Sequence, residues 1–325
     1  MSLIDLHCDT LMKAWHDGKT DLNSLPYSID LDKLEKGKVS AQFFAMFLLP
    51  EDFLAALPEK KQVTDDIYIL ALRKILLQTI EKYPNRLAMA LSATDLEINK
   101  EKGRVSAFLT IEDGRSVEGR LEKLKYYYEL GVRLISLTWN YENCFGFPNS
   151  PDSVEMAKGL KPFGKEAIPY MEELGMLVDV SHLSDGGFFD VAQIASKPFI
   201  ASHSNCRALS PHPRNLTDDM IRVLAQAGGV AGLNFAPAFL HPDIRSKESR
   251  LEDMSRHVQH LLQIGGEEVL ALGTDFDGIS GNLEVADASH LSCLIDRLKK
   301  DGLTERQLDK FCFENALRVI KETIK

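Results

Sequence analysis

Residues 2–9 read SLIDLHCD and residues 269–277 read VLALGTDFD. Each is a short apolar run rich in β-formers. Six more of this kind lie between them: VSAQFFAMFL from Val39, VSAFLTIED from Val105, VRLISLTWN from Val132, MLVDVSH from Met176, PFIASHS from Pro198 and VAGLNF from Val230. Amphipathic stretches separate most of them, at 61–83, 118–130, 155–174, 185–196, 217–228, 249–264 and 284–300. Strand then helix, repeated, is the pattern of a parallel sheet with helices outside it. Eight such strands in 325 residues, without a Pro/Gly/Ser-rich linker, predict a single α/β domain over 1–325, a (β/α)8 barrel. Thr217 is placed to cap one helix and Gly228 to close it. The loop after the second strand and the segment 143–165, with its FGFPNSPDS run, are expected to be irregular.

A hydrophobic content of 44 % supports a sizeable core. The formal net charge of -10 argues against a nucleic-acid partner, while leaving the local sign of any pocket open. No basic segment followed by an apolar run opens the chain and no stretch approaches 18 uninterrupted apolar residues, so neither export nor a membrane span is expected. Five scattered cysteines without a CxxC pair fit reduced thiols, and the expected setting is cytoplasmic.

Strand side chains alternate, so Asp5, His7 and Asp9 are expected on one face; on a strand buried on both sides such groups must be paired or bound to something. Barrel enzymes carry their chemistry at the carboxyl ends of the strands. Those ends bear His7 and Asp9, Glu112, His182, His203, and Asp275 with Asp277. Imidazoles and carboxylates together suit zinc and similar divalent ions. Glu112 has two oxygens to bridge a pair of ions about 3.5 Å apart, with His7 and Asp9 on one and His182 and His203 on the other.

DLHCDT at 5–10, IEDG at 111–114, DVSHLS at 179–184, ASHSNCRALSPHPRN at 201–215 and GTDFDG at 273–278 resemble, in order and approximate spacing, the membrane (renal) dipeptidase family of metallopeptidases. The resemblance implies a distorted (β/α)8 barrel that hydrolyses small dipeptides, often with a D-residue at the carboxyl end, using two zinc ions joined by Glu112 and a water or hydroxide. It implies His7 and Asp9 as ligands of one zinc and His182 and His203 of the other. By the same resemblance Arg214 grips substrate and Asp275 shuttles the proton. Homodimers are common in the family, though no interface signature stands out here. The family's lipid anchor is not expected for a chain ending RVIKETIK.

One departure affects the expected pocket. Where better-known members have LTH, this chain has SLTWN, so Trp139 replaces a histidine that contacts substrate and stabilises the tetrahedral intermediate. An indole donates one hydrogen bond and carries no positive charge, which leaves Asn140 or a zinc ion for that task. Blander readings stand beside these. His7 and Asp9 make sense as a hydrogen-bonded core pair, Arg214 as a partner of Asp218 or Asp219, and Trp139 as packing. Asp277 is read as shaping a turn, His257 and His260 as surface or structural, and KKDGLTER at 299–306 as a solvated turn between helices. Two rival functions remain: another amide hydrolase, such as an N-acyl amino acid deacylase, and a catalytically weak binding homologue.

Overall fold

The first strand, β1 (Leu3–Cys8), lies between β2 (Val39–Phe47) and β10 (Leu270–Leu272), both parallel to it, so the two ends of the sequence meet in one sheet. The computed structural model describes residues 1–50, 53 and 63–325. From β10 the sheet continues through β8 (Val230–Leu233), β7 (Ile200–Ala201), β6 (Leu177–Asp179) and β5 (Val132–Ser136) to β4 (Val105–Glu112). It closes where β4 pairs with β2 from Ala41↔Ser106 to Phe47↔Glu112. The result is the expected closed barrel of eight parallel strands with helices around it.

A short strand absent from the sequence reading, β3 (Leu87–Met89), adds to the edge of β4 at Val105–Ala107, below the stretch that β5 uses. Three residues are too few to show an alternation. Two further strands, β9 (Glu248–Ser249) and β11 (Asn282–Leu283), form a separate parallel pair in the loops. Among the described residues, helices occupy part of every predicted amphipathic stretch, although the one expected at 155–174 starts only at Pro162, after a single turn at Ser153–Met156. Helices at 10–16, 31–36, 93–101 and 315–323 were not anticipated. The 143–165 segment is irregular as expected, whereas the loop after β2 lies largely outside the described residues.

An inner cluster takes one residue or more from each barrel strand, including Ile4, Phe43, Phe108, Leu134, Leu177, Ile200, Val230 and Ala271. Phe43 and Phe108 stack at 4.6 Å between ring centres. Ala316, Val319 and Ile320 of the 315–323 helix join this cluster against residues that open their strands, so the helix covers the amino-terminal end of the barrel. The opposite end is left for the site. Gly232 and Gly273 let β8 and the end of β10 approach closely: a Cβ on either would lie within 1.9 Å or 1.8 Å of the Ser202 carbonyl oxygen. No described helix is long and apolar enough to cross a membrane.

Candidate metal centre

Strand tips and the turns just beyond them bring the predicted residues together. His7 lies on β1 and Glu112 ends β4, but β6, β7 and β10 stop short of His182, His203 and Asp275. Those last three stand on the connecting turns, and His182 (φ 69°) and Asp275 (φ 62°) adopt the left-handed conformation. Such backbone is costly for residues other than glycine and is held here by its neighbours. The His182 carbonyl accepts from both the backbone and the side-chain amide of Asn149, at 2.7 and 3.1 Å. The Asp275 N–H donates to the His7 carbonyl, and the Asp9 N–H to that of Phe276. These two bonds fasten the last strand tip to the first.

The predicted common face of Asp5, His7 and Asp9 does not survive. A register shift between Asp5 and Cys8 interrupts the pairing of β1 with β2, and the Asp5 carboxylate accepts from the Thr274 N–H and hydroxyl instead. Asp5 therefore braces the turn below the site. Asp277 does the same on the other side, accepting from Thr10 and Lys13 side chains and from the Ser28 and Ile29 amides.

Glu112 is the centre of the cluster. Its Oε1 lies 2.9 Å from His182 Nε2 and 3.4 Å from His203 Nε2, and its Oε2 lies 3.4 Å from His7 Nε2. His7 Nε2 is also 3.4 Å from Asp9 and 3.9 Å from Asp275. The tautomers of the two outer imidazoles follow from their far sides. His203 Nδ1 meets Ser202 Oγ at 2.7 Å, and that hydroxyl donates to Asp179, so it must accept from Nδ1–H. His182 Nδ1 faces the carbonyl oxygen of Asn140 and is likewise protonated. Both Nε2 atoms therefore turn lone pairs toward the Glu112 carboxylate and toward each other, 3.1 Å apart. Burial, with Arg214 nearby, holds His182 neutral by pulling its pKa down to about 4, and burial together with His7 takes His203 well below its usual range.

Buried acceptors that converge in this way repel one another unless a cation lies among them. The rest of the site has the same deficit. Among the described residues neither His7 ring nitrogen nor Asp9 Oδ1 has a hydrogen-bond partner. Burial, with Glu112 beside it, raises Asp9 to about 6, and burial with the Asp9 and Glu112 charges raises Asp275 to about 8. Burial works against protonation of His7, yet the two carboxylates lift it well above the usual imidazole value. Gly278 keeps the gap between acids open: a Cβ there would sit 2.0 Å from Asp9 Oδ2 and 2.8 Å from Asp275 Oδ1. His7, Glu112 and His203, and again His7, Asp9 and Asp275, each present ligand atoms within 4.8 Å of one another. The donor set fits divalent cations.

The cluster opens into a cavity of about 330 Å³, large enough for a small ligand, walled on its apolar side by Met12, Phe47, Trp139, Phe239 and Ile279. Trp139 packs edge-on against Phe47 with its ring 6.1 Å from that of His182. Arg214 is 5 % exposed and does not pair with Asp218 or Asp219, which are taken by His260 and Arg222. Its Nη atoms donate to Ser204 Oγ and the His203 carbonyl, leaving Nε without a partner among the described residues. His257 is structural, accepting from the Cys206 amide and bonding the Leu240 carbonyl.

Four residues of the site escaped the sequence reading: Asp179, which receives four hydrogen bonds from Ser136, Ser181 and Ser202; Asn234, which donates to Asp275 Oδ2; Asn149; and His212. Asp179 stood inside the DVSH motif and His212 between two prolines, but neither pattern states a partner.

The family model for membrane dipeptidase, peptidase family M19, matches residues 1–325. A Klebsiella pneumoniae protein described as uncharacterised, from the pqqA 5' region, is 40 % identical over 254 residues, 76 % of this chain and 93 % of that one. An uncharacterised dipeptidase of Schizosaccharomyces pombe is 32 % identical over 312 residues, covering 93 % and 73 %. Among solved structures, the M19 metallopeptidase dipeptidase AC superposes with a TM-score of 0.89 at 28 % identity over 100 % of this chain and 99 % of its own. A Rhodobacter sphaeroides metallopeptidase bound to a phosphinate mimic of L-Ala-D-Ala gives 0.88 at 28 % identity over 99 % of both. A full-length family match, joined to relatives above 30 % identity, establishes that this chain belongs to the membrane dipeptidase family, peptidase family M19, and is a hydrolase of the metallo-dipeptidase class.

Proposed function

We propose that the protein hydrolyses small dipeptides, L,D as well as L,L, with two zinc ions held by His7, Asp9, Glu112, His182 and His203. The observation that carries this reading is the meeting of the His182 and His203 lone pairs on one oxygen of Glu112, whose other oxygen faces His7. The relative that holds a phosphinate L-Ala-D-Ala mimic supports tolerance of a D-residue.

Bound there, the ions supply Lewis acidity toward the peptide carbonyl and lower the pKa of water. Asp275 takes the proton of the attacking water and returns it to the leaving amine. Asn234 occupies Oδ2 of that carboxylate, so Oδ1, the oxygen nearer His7, carries the proton. Arg214 binds the terminal carboxylate through the guanidinium donors not committed to Ser204 and His203, which orients the scissile bond. Trp139 and Phe47 face the amino-terminal side chain. Asn140 fixes the tautomer of His182, a task that occupies its carbonyl oxygen and leaves its amide for substrate.

The test is a panel of L,L and L,D dipeptides and N-acyl amino acids, with chelated and zinc-loaded protein. Zinc-dependent cleavage of dipeptides is expected. Cleavage of N-acyl amino acids alone would make the protein a deacylase, and cleavage of neither would leave a binding homologue.

A further inference from the structure

We propose that His212 is a second recognition group for the substrate carboxylate, its Nε2–H donating beside Arg214; this deepens the dipeptidase reading above and rests on it.

His212 lies between Pro211 and Pro213, whose rings fix their own backbone angles. Every other hydrogen-bonding group of the residue is committed. Its N–H donates to the Ser210 carbonyl at 2.8 Å and its carbonyl accepts from the Asn215 amide at 3.0 Å. Its Nδ1 accepts from the Arg214 backbone N–H at 3.1 Å. An imidazole nitrogen that accepts carries no hydrogen, so the neutral ring is protonated on Nε2. Burial, aided by the charges of Arg214 and Arg207, keeps the ring neutral by drawing its pKa down to about 4. The tautomer is thus set by the same loop that presents Arg214.

Among the described residues Nε2–H has no hydrogen-bond partner, although the half-buried ring lines the cavity. Phe239 gathers this donor and Arg214 into one place: the His212 ring is 4.7 Å from the Phe239 ring and the Arg214 guanidinium carbon 5.4 Å from it. Among the described residues Arg214 Nε is a second unpartnered donor, on a buried side chain. Two preset donors of unlike geometry around one aromatic ring suit the two oxygens of a carboxylate. A neutral donor also adds recognition here without a second positive charge next to Arg214 and the metal ligands.

His212→Leu removes the donor, His212→Asn keeps an acceptor for the Arg214 amide but does not reach the ε position, and His212→Gln places an N–H near it. The zinc-loaded full chain is assayed with an L-dipeptide and with the same dipeptide as its carboxyl-terminal amide. Binding of a phosphinate dipeptide mimic is followed by calorimetry as a readout that needs no turnover. Losing a hydrogen bond to a charged group is expected to raise KM for the free acid roughly 10- to 100-fold in the Leu and Asn variants, with kcat much less affected. Gln is expected to recover most of that loss, and the amide substrate to change by less than about twofold. Calorimetry is expected to give the same order of affinities. Equal behaviour of Gln, Asn and Leu, an equal loss on the amide, or a fall confined to kcat would overturn the proposal, as would failure of the wild-type protein to bind the mimic. A wild type that binds the mimic with the expected order among variants, yet cleaves no dipeptide, would refute the dipeptidase reading while leaving the role of His212 intact.

Discussion

Asp275 combines strained backbone, burial and company of like charge, with Oδ2 held by Asn234 and Oδ1 turned toward His7. A carboxylate in that position is suited to moving protons and would add little to an ion held, as proposed, by His7, Asp9 and Glu112. Asp275→Asn is therefore expected to keep its zinc, by elemental analysis of purified protein, and to lose about 10²- to 10⁴-fold in turnover. Loss of the metal instead would make Asp275 a ligand. Gly278→Ala separates the effects in the other direction. Its Cβ would displace the Asp9 carboxylate from 2.0 Å away, so zinc content measured at saturating metal is expected to fall while the melting temperature of the metal-free protein stays near that of wild type. At this scale the clustered imidazoles and carboxylates were legible because HxD, EDG and the two SH motifs stand at strand ends or just beyond them. Asp179, Asn234 and His212 were not, because each matters through a partner that sequence spacing does not reveal: Ser202, Asp275 and the Arg214 amide.

The helix at Leu251–Gly265 illustrates how an outer element supports the loop that carries cavity-lining residues. Its His257 is fully buried, receives the Cys206 amide on Nδ1 and bonds the Leu240 carbonyl through Nε2, tying together the 206–216 loop and the turn at 237–240. Burial lowers its pKa to about 4. The unfolded chain, with an ordinary histidine near 6.5, binds the extra proton first as the pH falls. This stabilisation is thus complete above about pH 6.5 and is lost toward pH 4, a difference on the order of 3 kcal/mol. His257→Gln retains an acceptor and a donor without titrating. Denaturant melts between pH 4 and 7 are expected to show a shallower acid loss in that variant by the same order, and parallel curves would refute the assignment. The KKDGLTER turn joins the Leu291–Lys300 helix to one starting at Glu305, as its charge implied, and Thr217 caps its helix through the Met220 amide. The early start predicted for the Pro162–Leu174 helix failed because Gly159 and Pro162 interrupt the preceding pattern.

For the molecule as a whole, the barrel assembles from both ends of the chain a site that cannot exist in the unfolded state. A cation that binds only the folded protein stabilises it by mass action, about 2.7 kcal/mol per site at one hundred times its dissociation constant. Thermal melts are expected to shift upward with added zinc and downward with a chelator, and His182→Ala is expected to shrink the shift; identical melts under both conditions would contradict a built metal site. The sequence by itself determined the strand–helix alternation, hence the barrel, and the chemical kind of the side chains gathered at its rim, because periodicity and residue type are properties of a chain read in order. Tertiary structure alone decided which imidazole nitrogens carry hydrogen, which acids brace turns and which face the cavity. It also decided that His7 and Asp275 meet across the β1–β10 seam. Those outcomes depend on distances of 3 to 4 Å between residues far apart in the chain, set by closure of the sheet and by left-handed turns at its rim, and no local pattern encodes them.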